Sequence, residues 1–153
     1  MNNSSEVENR FNVSSISDLR AVLSELVQKL VPGTTIALVG PLGAGKTTST
    51  RILLELLGSL EAVSSPTFVL QHEYKLPSGL VIEHWDLYRL NQLPDELLEP
   101  AGANVIRLVE WADKFLEFMA QVDLVLRFEL SEVLEDHSDS FNRFLTCHTS
   151  VQR

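Results

Sequence analysis

Residues 40 to 47 read Gly40-Pro41-Leu42-Gly43-Ala44-Gly45-Lys46-Thr47, a full match to G-x-x-x-x-G-K-[ST]. An apolar run of strand length, Thr34 to Val39, leads into this stretch, and a run of helical length, Thr48 to Leu57, leaves it. Strand, glycine-rich loop and helix in that order predict a phosphate-binding loop. The glycines let the backbone close around an anion, so that successive N–H groups point inward. The helix adds the positive end of its dipole. Lys46 is expected to reach the β- and γ-phosphates, and the Thr47 hydroxyl to hold Mg²⁺. A nucleoside triphosphate is therefore the expected ligand, gripped along Gly40 to Thr48. A chain with this loop is committed to an α/β architecture that places the loop at a strand end.

Length and charge narrow the context. The chain has 153 residues, which suits a single domain spanning 1–153 with frayed ends at 1–5 and 150–153. With 12 Lys and Arg against 21 Asp and Glu, the net charge is −9. Gripping nucleic acid needs clustered cations, so any role in RNA biology is expected to reach RNA only through a partner. No apolar run approaches the roughly 20 residues of a membrane span, and Met1 to Glu6 lacks the basic and apolar parts of a signal peptide. Cys147 is the only cysteine, which rules out an internal disulfide. These features predict a cytoplasmic protein with no membrane contact.

Periodicity supplies the remaining elements. Glu6 to Val13 reads as a strand. After the capping residues Ser15 to Asp18, the positions Leu19, Val22, Leu23, Leu26, Val27 and Leu30 follow a helical spacing that Pro32-Gly33 ends. Ile52, Leu53, Leu54, Leu56 and Leu57 give the helix after the loop a broad apolar surface, with Gly58 as its C′ residue. Thr67 to Tyr74 and Leu80 to Asp86 read as strands. The turn Lys75 to Gly79 is too short for a parallel connection of about a dozen residues, so the two form an antiparallel hairpin. Asn91 to Glu99 reads as a short acidic helix, Val105 to Val109 as a strand and Ala112 to Ala120 as a short helix. Val122 to Leu130 and Asn142 to Thr149 read as strands joined by the acidic stretch Glu132 to Ser140. The fold class is α/β: a three-layer P-loop NTPase-like domain with a mixed, mostly parallel sheet.

Hydrolysis needs more than a phosphate loop. It requires a metal-side carboxylate and a group that orients water. Asp86 ends one apolar strand and Glu110 another, at the strand ends that border the ligand crevice of open α/β sheets. Ser65-Pro66-Thr67 lies between the loop helix and the Asp86 strand, where a hydroxyl can sense a γ-phosphate; an ordinary turn reads equally well there. His72, His84, His137 and His148 show no metal-ligand spacing. Trp85 and Tyr88 beside Asp86 suit core or interface packing, Cys147 suits a small buried hydrophobe, and Phe115, Phe118 and Met119 suit the core.

Four segments taken together resemble one family. Gly40 to Thr48 as GPLGAGKTT, Ser65 to Phe68 as SPTF, His84 to Leu90 as HWDLYRL and Leu108 to Trp111 as LVEW are similar, in that order, to TsaE. TsaE is the bacterial P-loop ATPase needed to make threonylcarbamoyladenosine in tRNA, and the resemblance runs from about Ser15 to Trp111. It implies ATP and Mg²⁺ as cofactors and a weak ATPase that works with TsaB and TsaD without itself transferring the threonylcarbamoyl group. It implies that Thr67 lies near the γ-phosphate and that Asp86 is the strand-end metal-side acid. Glu110 is the implied acid close to metal and attacking water, and Trp111 the aromatic after it, counted with the ATP-binding residues. Lys46, Asp86 and Glu110 form the implied catalytic set; Thr47, Asp86 and Glu110 form the metal set, with the direct ligand left open between the two carboxylates. The chain departs from the family at Pro41, where an acidic residue is usual, and between Leu90 and Leu108, a segment shorter than usual in which only Pro100 to Asn104 stand where the family often has a longer stretch.

Three other readings share the loop. A small-molecule kinase needs an arginine-rich lid, and Arg51, Arg89, Arg107, Arg127 and Arg143 are dispersed in the sequence, with Arg89 beside Asp86 read as a surface ion pair. A GTPase needs an N-K-x-D-type segment to read guanine, and none occurs. A module that uses ATP only as a conformational ligand needs nothing beyond the loop.

Overall fold

The computed structural model describes residues 8–63, 69–132 and 141–149. Strand β2 (Thr35–Val39) is buried at every position, as expected for a strand covered on both faces. Its alternation feeds two cores. Ile36 and Leu38 join one apolar cluster, and Ala37 and Val39 join the other. The first cluster receives Leu19 and Leu23 from helix α1 (Ile16–Val27) and Ile52, Leu53 and Leu54 from helix α2 (Lys46–Leu57). The second is capped by thinner material: a 3₁₀ turn at Asp95–Leu97, another at Ala112–Lys114, and the single-turn helix α3 (Leu116–Met119). Sheet and two flanking layers make the α/β sandwich expected from the sequence.

The sheet has seven strands in the order β1-β7-β6-β2-β5-β4-β3. Besides β2 these are β1 (Glu8–Asn12), β3 (Gln71–Lys75), β4 (Val81–Asp86), β5 (Val105–Glu110), β6 (Leu124–Glu132) and β7 (Phe141–Thr149). The central pairings β6–β2, β2–β5 and β5–β4 are parallel. The flanking pairings β1–β7, β7–β6 and β4–β3 are antiparallel. The β3–β4 hairpin is the one its short turn demanded. Because β2, β4 and β5 run the same way, their carboxyl ends meet along one edge of the sheet.

Local chemistry explains most boundaries. Ser15 caps α1 through a reciprocal box: its hydroxyl accepts from the Asp18 N–H at 3.0 Å, and the Asp18 carboxylate accepts from the Ser15 N–H at 3.2 Å. Such a cap contributes about 1 kcal/mol. Helix α2 closes at Gly58, where the Gly58 and Ser59 N–H groups donate to Glu55 and Leu54 carbonyls. Three expected helices are shorter than the sequence suggested, and α1 is the first, ending at Val27 rather than Leu30. Between Asn91 and Glu99 only the 3₁₀ turn forms, framed by Pro94 and Pro100, and a residue before proline is pushed out of the α region. Between Ala112 and Ala120 the helix breaks at Phe115, whose extended backbone (φ −125°, ψ 96°) turns both Phe115 and Phe118 into the core. The strand expected over Thr67–Tyr74 is formed only from Gln71, with Val69 and Leu70 outside it. Thr67 and Phe68 themselves, the Ser65–Thr67 loop, most of the acidic stretch (133–140) and the ends 1–5 and 150–153 lie outside the described residues. No helix among the described residues is long and apolar enough to cross a membrane.

Candidate active site

The loop between β2 and α2 lies on a cleft of about 550 Å³ at the carboxyl edge of the sheet. Gly40 starts the loop with φ 150°, and a Cβ there would sit 2.7 Å from the Phe128 carbonyl oxygen. Only glycine permits the β2 chain to turn this close against β6. Gly45, with φ 115°, makes the last reversal before α2 begins at Lys46. The first-turn N–H groups of α2 are thereby aimed at the cleft, as anion binding requires. The Lys46 side chain is 5% exposed. Its ammonium donates to the carbonyls of Gly40 (2.6 Å) and Pro41 (2.7 Å) and lies 4.1 Å from the centre of the Trp111 ring. Burial lowers its pKa, and the nearby carboxylates of Glu110, Asp113 and Asp86 oppose that shift. Pro41 contributes its carbonyl rather than an N–H: it accepts from Lys46 and, at 3.2 Å, from the Ala44 N–H.

Opposite the loop stand the two strand-end acids. In parallel register Asp86 pairs with Glu110, and Leu38 of β2 pairs with Glu110 on the other side. The period-2 alternation of strands puts His84 and Asp86 of β4 on the same sheet face as Glu110 of β5, the face covered by α2. Glu110 is 2% exposed and spans the gap between the two halves. Its Oε2 accepts from the Thr47 hydroxyl at 3.1 Å, and its Oε1 lies 2.8 Å from Nε2 of the fully buried His84. Asp86 lines the cleft, and its Oδ1 accepts from the Tyr88 N–H at 2.9 Å.

Trp111 follows Glu110 with φ 60°, the only non-glycine residue with positive φ among those described. A bulky residue held there costs about 1–3 kcal/mol. The distortion presents the indole to the cleft, 4.8 Å from the Tyr88 ring and over the Lys46 ammonium. Lys114 locks the arrangement: its ammonium donates to the carbonyls of Leu87, Tyr88 and Leu90, tying the segment after β4 to the segment after β5.

Of the residues singled out in the sequence, Leu42, Gly43, Gly45, Lys46, Thr47, Thr48, Asp86, Glu110 and Trp111 all line this one cleft. Ala44 is buried beneath the loop, while Thr67 lies outside the described residues. Sequence reasoning missed four contributors. Tyr88, expected to pack, is 51% exposed at the cleft, whereas Trp85 is buried as expected. Arg89 and Arg143, read as dispersed, both line the cleft. Arg107 is consumed elsewhere, in a buried pair with Glu83 (2.7 Å) that also holds the Glu99 carbonyl. His84 is the fourth. Its spacing two residues before Asp86 was the available signal, because i and i+2 share a strand face. Cys147 is half-buried against the core, and burial raises its thiol to about 11.

A family model described as threonylcarbamoyl adenosine biosynthesis protein TsaE matches residues 13–138. A protein of Haemophilus influenzae named tRNA threonylcarbamoyladenosine biosynthesis protein TsaE is 37% identical over 99 residues, covering 61% of this chain and 61% of its own length. Its namesake from Streptomyces coelicolor is 37% identical over 116 residues, covering 72% of this chain and 78% of its own. Among solved structures, Bacillus subtilis YdiB superposes with a TM-score of 0.62 at 25% identity, over 94% of this chain and 86% of that one. With a family model spanning most of its length and a glycine loop, strand-end acids and Trp111 gathered at one cleft, the chain belongs to the TsaE family of tRNA threonylcarbamoyladenosine biosynthesis proteins.

Proposed function

We propose that the protein binds Mg²⁺·ATP in this cleft and hydrolyses it slowly to ADP and phosphate. The observation that carries the reading is the bridge at Glu110, which links the first turn of α2 through Thr47 to the strand ends of β4 and β5. The donor set suits the metal. Thr47, Asp86 and Glu110 offer only hard oxygens, and Mg²⁺ in nucleotide sites takes one or two carboxylates and keeps phosphates and water for the rest. Among the described residues no group of three His, Cys, Asp or Glu forms a dedicated metal cage, which agrees with that division. When bound, the metal would neutralise charge developing on the β- and γ-phosphate oxygens.

The chain's own residues have separable tasks. Loop N–H groups and the α2 terminus cradle phosphate, and Lys46 leaves its two carbonyl partners to meet the β- and γ-phosphates. Asp86 supports the metal side. Glu110 orients the attacking water, and Trp111 with Tyr88 forms an aromatic wall against which nucleotide can pack. The turnover serves tRNA N6-threonylcarbamoyladenosine formation in the cytoplasm through association with TsaB and TsaD. An acidic chain of net charge −9 meets tRNA only through those partners. Exposed Leu42, Val69, Leu70 and Tyr88 at the cleft rim support a protein partner that feels the nucleotide state.

Co-purification with TsaB and TsaD, with and without ATP and Mg²⁺, tests this. Nucleotide-dependent association with slow phosphate release is expected; association indifferent to nucleotide overturns the coupling. One observation favours the small-molecule kinase as the second reading: Arg89 and Arg143 both reach the cleft. An acceptor that became phosphorylated as ADP formed would establish it.

A further inference from the structure

We infer that His84 is a positioning residue for Glu110, holding that carboxylate in the one orientation from which it can order the attacking water. The inference rests on the ATPase reading above and deepens it. His84 is 0% exposed, and its Nε2 lies 2.8 Å from Glu110 Oε1. In the proposed arrangement Nε2–H donates to Glu110 Oε1 and Nδ1 points away from it. Among the described residues that Nδ1 has no hydrogen-bond partner. A buried polar atom left unpaired costs about 1–3 kcal/mol, and an apolar pair of similar size would avoid the cost. Stability therefore does not account for a histidine here.

Control of Glu110 does. Its two oxygens have different neighbours: Oε1 is taken by His84, and Oε2 faces Thr47 at the mouth of the phosphate loop. Without the imidazole, Oε1 is a buried acceptor with no donor, while the Lys46 ammonium still attracts the Glu110 charge. The carboxylate would then turn toward Lys46 and away from the water's place. Misplacing a catalytic group by about 1 Å costs on the order of 100-fold in rate. The phosphate loop itself is untouched, so nucleotide binding persists.

Two amides of equal polarity separate positioning from packing. His84→Gln places its NH₂ near the Nε2 position, while His84→Asn places it near Nδ1, facing nothing. Steady-state kcat and KM for ATP, ATP affinity from Trp111 fluorescence, and Tm are measured for each. His84→Gln is expected within about 10-fold of the wild-type kcat, and His84→Asn about 100-fold below it, with KM and affinity held within a few-fold in both. Equal kcat for the two variants well below their Tm overturns the inference, and so does a loss confined to KM. If His84→Asn fails to fold, nitrogen-15 NMR of the wild-type imidazole decides: an Nε2-protonated tautomer supports the assignment, and an Nδ1-protonated one overturns it. Wild-type protein that turns over ATP while His84→Asn matches His84→Gln sinks this inference alone. Wild-type protein without turnover sinks the ATPase reading and this inference with it.

Discussion

The two halves of the cleft are made of different materials. The phosphate loop is nine consecutive residues, 40–48, whose working parts are backbone N–H groups, and its shape comes from glycine conformations and the close approach to Phe128. The facing half is built from side chains on two parallel strands, His84 and Asp86 on β4 and Glu110 on β5, with 23 residues between Asp86 and Glu110 in sequence. One half is a local solution to holding an anion. The other exists only once the sheet has chosen its register. In the proposed reading they have different tasks: the loop binds, and the carboxylates act on what is bound.

Substitutions can break that division. The largest effect is expected at Glu110→Gln, which keeps size and a hydrogen-bonding amide but loses the charge that orders water. Its kcat should fall by about 1,000-fold while ATP affinity changes only a few-fold; phosphate release and fluorescence titration read the two. Retained turnover would return the catalytic role to the loop.

Gly40→Ala attacks the loop through its shape. The new Cβ meets the Phe128 backbone 2.7 Å away at a φ of 150°, so destabilisation of about 3 kcal/mol is expected, read as a lower Tm together with lost nucleotide binding. Lys46→Met probes the same half without disturbing the backbone. Affinity for Mg²⁺·ATP should drop on the order of 100-fold. Weakened folding with intact binding would reverse the assignment of the halves.

The smallest effect lies away from both halves and serves as a control. Burial holds the Cys147 thiol at about 11 against an ordinary 9.0. The folded state thus keeps its proton where the unfolded chain loses it, so stability is unaffected below pH 9 and declines as pH rises through 11. Alkylation at pH 8.5 should be slow in native protein and fast in denaturant. ATP turnover should be unchanged in Cys147→Ala.

What was legible in the sequence follows the same line. Ser15, the apolar repeat from Leu19, Gly58 and the short Lys75–Gly79 turn act over a few residues, and each produced the element it announced. The helices expected at 91–99 and 112–120 shrank because Pro94 and Pro100 frame one and tertiary packing of Phe115 and Phe118 bends the other. Asp86 and Glu110 could be singled out because each ends an apolar strand. Tyr88, Arg89 and Arg143 could not, since which surface they reach depends on how the loop after β4 and strand β7 are laid beside the cleft.

By itself the sequence determined the glycine loop and the strand–loop–helix unit around it, because these rest on contiguous residues and short-range geometry, and it pointed to the family through four short segments in a fixed order. Only the tertiary structure decided that β5 inserts between β2 and β4 and sets Glu110 beside both Thr47 and His84. Parallel pairing joins residues far apart in the chain, and a shift of one residue would turn Glu110 to the opposite face of the sheet.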